Sequence, residues 1–124
     1  MGVIRSQDAT RHEMHNARFT AYAAPSSGSR ELCAWQVEIA PGTVGQEHVV
    51  SREEVLAILD GRLDVTIDGA MEQVGPGDVA LVMAGSRLRL DNPHGEGARA
   101  WVTTSVGLTA RLGDGSTVRP PWTL

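Results

Sequence analysis

Two side chains in this 124-residue chain stand out as able to do chemistry: the imidazole of His48 and the carboxylate of Glu54, six positions apart. Such a pair exchanges protons near neutral pH or donates electron pairs to a divalent cation. Glu54 opens the apolar run Val55-Leu56-Ala57-Ile58-Leu59, which the turn signal Asp60-Gly61 closes. If a three-residue loop at 51–53 joins two antiparallel strands, Val50 lies opposite Glu54. Period-two alternation then turns His48 to the same face, and the two groups share one wall. A carboxyl group held against Leu56, Val50 and Leu88 must pair, hydrogen-bond or take up a proton. A His48–Glu54 ion pair or a desolvated, protonated Glu54 would each suit acid–base catalysis, and the plain alternative is a remnant hydrogen-bonded pair.

The remaining candidates are less sharply placed. His12 and His15 lie in a poorly patterned start, and His94 stands six residues past Leu88. That is about 20 Å along an extended strand, so only a fold-back at Asn92-Pro93 returns His94 to the pocket. Trp35, Trp101 and Trp122 are candidates to line a cavity for an aromatic ligand, with core packing or a subunit contact as the alternative. Ser51 and Arg52 are placed to meet the polar end of a ligand at a loop, or are simply solvated. Cys33, in an apolar strand, reads as a buried and inert thiol.

The elements that position these residues are short strands. Residues 32–40 alternate Trp35, Val37 and Ile39 against Gln36 and Glu38, and residues 62–68 alternate Leu63, Val65 and Ile67 against Asp64, Thr66 and Asp68. Asp60-Gly61, Asp68-Gly69 and Asp114-Gly115 supply the pair favoured in type I′ hairpins, and Gly75-Pro76-Gly77-Asp78 adds a further turn. Residues 79–83, 86–91 and 98–106 complete the strand candidates, and 17–23 is an outer one. No sustained 3.6-residue stripe occurs, so the expected fold is all-β and antiparallel with little helix.

The spacing around the two candidates resembles the first motif of the cupin superfamily: glycine, five residues, histidine, one residue, histidine, three or four residues, glutamate, six residues, glycine. Gly42, His48, Glu54 and Gly61 fall in register, and Val50 holds the second histidine position. Gly77, Gly85 and Asn92 fit the second motif, where Met83 replaces a proline and Leu88 a histidine. The resemblance covers residues 31–106 and implies a double-stranded β-helix, the cupin jelly-roll barrel, flanked by a 1–30 strand and loop segment and a 107–124 strand and tail. It also implies a common homodimer, with tails such as 2–4 or 120–124 augmenting a partner's sheet and Trp122 as anchor. Cupin enzymes usually hold a metal through three histidines and a glutamate. Here Val50 and Leu88 supply no lone pairs.

The favoured expectation is therefore a small organic ligand held in a pocket of His48, Val50, Glu54, Leu56, Leu88, Trp35 and Met83, with no cofactor. The alternative is an enzyme. It would be either an oxygenase, isomerase or polyketide-cyclase-like cupin with a divalent ion (iron, manganese, zinc or nickel) on His48 and Glu54, helped by His12, His15 or His94, or a metal-free epimerase or isomerase using His48 and Glu54 as catalytic groups. A sensory module without chemistry is a further alternative.

Composition narrows the classes. The formal net charge is −4 and the eleven cations, all arginine, are spread from Arg5 to Arg119, so no nucleic-acid footprint is present. The absence of lysine excludes Schiff-base chemistry within the chain, and the Ala, Gly, Val and Arg usage is of a bacterial, high-GC kind. With 41% hydrophobic residues the length suits one core. A single cysteine, with neither a signal peptide nor an apolar run near twenty residues, leads to the expectation of a cytoplasmic protein without a membrane partner.

Overall fold

Alternating burial runs through the two longest strands. β3 (Leu32–Ile39) turns Cys33, Trp35, Val37 and Ile39 inward, and β10 (Ala98–Ser105) turns in Ala98, Ala100, Val102 and Thr104. Such a period-two pattern buries one face of a sheet and needs a second sheet to cover it. The computed structural model, which describes residues 2–124, supplies that second sheet. Met1, the first residue of the expected 1–30 segment, lies outside the described residues.

The first sheet has the order β1 (Thr10–Met14), β2 (Ala17–Ala23), β3, β10, β5 (Glu54–Asp60), β8 (Val79–Val82). The second runs β12 (Thr117–Val118), β11 (Ala110–Leu112), β4 (His48–Val50), β9 (Arg87–Asp91), β6 (Leu63–Ile67), β7 (Ala70–Val74). Every pairing is antiparallel. The two inner faces meet in one core that includes Cys33, Trp35, Leu56, Ile58, Leu63 and Val82. The result is the expected jelly roll. Helix is confined, among the described residues, to three 3-10 turns at Ser6–Asp8, Pro25–Ser27 and Pro121–Thr123, and none is long enough to cross a membrane.

Several local expectations need correction. Loop 51–53 does not close a hairpin: β4 pairs with β9 and β11, whereas β5 pairs with β10 and β8. The loop carries the chain from one sheet to the other. It is pinned there by Ser51 N–H donating to the Thr109 carbonyl at 3.0 Å and Thr109 N–H donating to Ser51 Oγ at 2.7 Å. Of the three Asp-Gly pairs, only Asp68-Gly69 has positive φ at both residues (50° and 85°). The other such pair is His15-Asn16 (49° and 61°), which turns β1 into β2 without any glycine. β1 itself escapes sequence reading because it is an edge strand with four of its five residues exposed.

Gly61 meets its requirement differently. Its φ is +73°, and a Cβ there would lie 2.4 Å from the Gly97 carbonyl oxygen, so positive φ and close approach both demand glycine.

Candidate functional site

Glu54 is the first residue of β5 and points inward, 5% exposed, between Val82 on β8 and Thr104 on β10. The Thr104 hydroxyl does not donate to it: its hydrogen goes to the Glu53 carbonyl at 2.7 Å. Glu54 Oε2 is left buried with no hydrogen-bond partner. Burial without compensation favours the neutral acid, and it pushes the carboxyl pKa up to about 7.

His48 opens β4 on the other sheet, with Leu88 of β9 and Leu112 of β11 as cross-strand neighbours. Its Nδ1 lies 3.0 Å from the Gln46 carbonyl oxygen. A carbonyl can only accept, so Nδ1 carries the hydrogen, and in the neutral ring Nε2 keeps its lone pair. The expected His48–Glu54 pair is not formed. The two groups belong to opposite sheets and face one cavity from different walls.

That cavity has a volume of about 370 Å³. Its walls include Val50, Leu56, Leu88 and Trp35 together with His48 and Glu54, which brings together six of the seven expected pocket residues. Met83 is the exception: it is 54% exposed, because inward positions on β8 belong to Ala80 and Val82, and Met83 continues the outward row. Sequence reading missed Phe19 of β2 and the two prolines of the tail, and weighed Trp122 as a lining residue only beside core packing or a subunit contact. Trp122 stacks on Phe19 with ring centroids 3.6 Å apart and planes at 5°, and Pro120, Pro121 and Trp122 line the cavity. The tail therefore lies on its own barrel, anchored by Ser26 N–H donating to the Leu124 carbonyl and by the buried Thr123. The run Pro120-Pro121-Trp122 was the available signal; its docking place was not.

The other candidates are elsewhere. His94 folds back onto β6, with Nε2 3.3 Å from Asp64 Oδ1 and 3.4 Å from Gln73 Nε2, outside the cavity. His12 lies 6.4 Å from the Trp122 ring, and His15 lies at the cavity edge, exposed on the β1–β2 turn. Trp101 packs on Tyr22 at 5.3 Å outside the cavity. Ser51 is engaged in the loop and Arg52 lies against Gly107; neither lines the cavity. Cys33 is fully buried, its thiol pKa raised by burial, and Sγ is 3.5 Å from the Thr123 carbonyl oxygen.

The four positions that bind metal in the family motifs hold His48, Val50, Glu54 and Leu88, two donors and two hydrocarbons. Among the described residues no group of three or more His, Cys, Asp or Glu side chains is placed to hold a metal ion. The donor set does not fit a metal centre of the usual kind, and no step is derived through one.

Two antiparallel sheets closed around an internal cavity define a jelly-roll barrel. The family described as Cupin domain matches residues 35–105, and the chain belongs to it. Comparison with curated protein sequences finds no match. Among solved structures, the chain is similar to the polyketide cyclase RemF from Streptomyces resistomycificus, with 17% identity, TM-score 0.75, and 85% of this chain and 79% of that one covered. It is similar to a predicted oxalate decarboxylase from Thermotoga maritima (16%, 0.73, 84% and 98%). An RmlC-like cupin from Shewanella frigidimarina NCIMB 400 is also similar (18%, 0.71, 82% and 86%). At these identities the likeness is one of fold.

Proposed function

We propose that this cupin holds a small, mainly apolar organic molecule in its barrel and has no resident metal ion. The observation that carries the reading is the wall itself: Val50 and Leu88 stand at two ligand positions beside Leu56 and Trp35, with Glu54 Oε2 buried and unpartnered among them. An apolar cavity with a few fixed polar groups is the usual form of an organic-ligand site. The test is native mass spectrometry of tag-free protein, with solvent extraction of whatever co-purifies. An organic adduct of one per chain, displaced by added apolar ligand, supports the reading; a bound metal adduct in its place refutes it.

A second reading is favoured by one feature, the carboxyl of Glu54 held at about pH 7. A group so poised can take a proton from a carbon next to a carbonyl and return it, the chemistry of an epimerase or isomerase. In deuterium oxide a turnover substrate would exchange that hydrogen, and Glu54→Gln would stop the exchange while ligand still bound. Exchange at the wild-type rate in the variant would leave the binding function alone.

The proposal includes a cytoplasmic homodimer. Its support is β8, an edge strand without a charged residue, whose outward row Val79, Leu81 and Met83 is 58%, 54% and 54% exposed. A second copy of the same strand meets it without like-charge repulsion. Light scattering should give twice the 13.2 kDa chain mass, and Leu81→Lys should return the monomer.

A further inference from the structure

The cavity has two polar ends of opposite character. Glu54 lines it from one sheet and His48 from the other; with its Nδ1 hydrogen engaged by the Gln46 carbonyl, the neutral His48 ring keeps a lone pair on Nε2. The remaining polar wall groups are spent or peripheral: Thr43 Oγ1 donates to the Ala40 carbonyl at 2.7 Å, and Gln46 and His15 are exposed. Between the ends the wall is hydrocarbon and aromatic, with Trp35, Phe19 and Trp122 together on one side. The volume of about 370 Å³ has room for on the order of a dozen water-sized groups.

We infer that the occupant is a flat aromatic or fused-ring molecule with a carbonyl oxygen at one end and a hydroxyl at the other, the carbonyl accepting from Glu54 and the hydroxyl donating to His48 Nε2. This rests on the reading of the barrel as an organic-ligand site and names its ligand class. A buried carboxyl group without a partner is costly, and a carbonyl oxygen in the cavity removes that cost by accepting its proton. The hydroxyl satisfies the lone pair that the carbonyl of Gln46 leaves free on the ring. A hydrocarbon of the same outline satisfies neither, so the cavity should distinguish the two.

The ionisable groups around Glu54 are few. Its strand neighbours Val82 and Thr104 do not titrate, His48 faces it from β4, and His15 stands at the cavity edge. Carbonyl binding therefore weakens as Glu54 gives up its proton with rising pH.

The test is calorimetric titration of the intact chain with four naphthalenes: 6-hydroxy-2-acetonaphthone, 2-acetonaphthone, 2-naphthol and 2-ethylnaphthalene. The hydroxy-ketone should bind most tightly, and 2-acetonaphthone should weaken above pH 7 while 2-ethylnaphthalene does not change. Glu54→Leu should weaken both ketones by about tenfold and leave 2-ethylnaphthalene within threefold. Glu54→Gln, whose amide still donates, should keep ketone binding and lose its pH dependence, and His48→Phe should weaken only the hydroxyl-bearing probes. Equal binding of all four, or equal weakening of all four by Glu54→Leu, overturns the ligand class while keeping the organic-ligand site. Failure of all four to bind the folded wild-type protein overturns both.

Discussion

Glu54 places an ionisable group at a largely buried position, and the consequence is a pH-dependent stability. Its pKa rises on folding from about 4.5 to about 7 because burial penalises the charge. In that interval the folded chain binds more protons than the unfolded one, so stability is full below about pH 4.5 and falls as pH rises toward 7. The loss is on the order of 3 kcal/mol. Urea denaturation of wild type and Glu54→Gln from pH 4 to 8 checks this: the wild-type curve should decline across the interval and the variant's should not. The aliphatic ligand positions give a second prediction at this scale. Val50→His with Leu88→His restores four donors on walls that already carry His48 and Glu54. The double variant should gain manganese or zinc binding, read as a melting temperature raised several degrees by the metal, an effect absent from wild type.

Among the elements, the C-terminal tail and the segment before β4 do most to shape the cavity. Trp122→Ala removes the stack on Phe19 and opens the wall. It should cost about 2–3 kcal/mol in chemical denaturation and speed ligand exchange. Gly45 packs directly on β9, where its N–H donates to Asp91 Oδ1 at 2.7 Å and a Cβ would lie 2.0 Å from the Leu90 carbonyl oxygen. Gly45→Ala should therefore lower the melting temperature markedly, by displacing β4 and with it His48. The strands themselves were legible because period-two alternation survives in β3, β6 and β10, and because Gly42, His48, Glu54 and Gly61 keep a recognisable spacing. Which sheet each strand joins was not legible. The three-residue loop at 51–53 reads like a hairpin turn, and its crossing between sheets depends on bonds to Thr109, more than fifty residues away.

At the scale of the whole molecule, the site is a product of closure. His48 and Glu54 come from different sheets, Trp122 from the last residues and Phe19 from an early strand, and only the packed barrel brings them to one cavity. Sequence proximity therefore pointed to two residues that line one cavity but gave them the wrong geometry, since alternation within one wall was assumed where two walls exist. Trp35 was legible as a pocket residue from its inward position, while Met83 was misplaced by one step of the same alternation. The polar cluster of His94 with Asp64 stays outside and leaves a cavity lined mainly by hydrocarbon, with His48 and Glu54 as its ionisable interior groups and His15 at the edge. The central claim is that such an interior binds organic matter in preference to a cation. Its most direct test is elemental analysis by mass spectrometry of the chain purified without an affinity tag or chelator: the account predicts transition metal well below one ion per chain, and a stoichiometric ion lost in both His48→Ala and Glu54→Ala would contradict it.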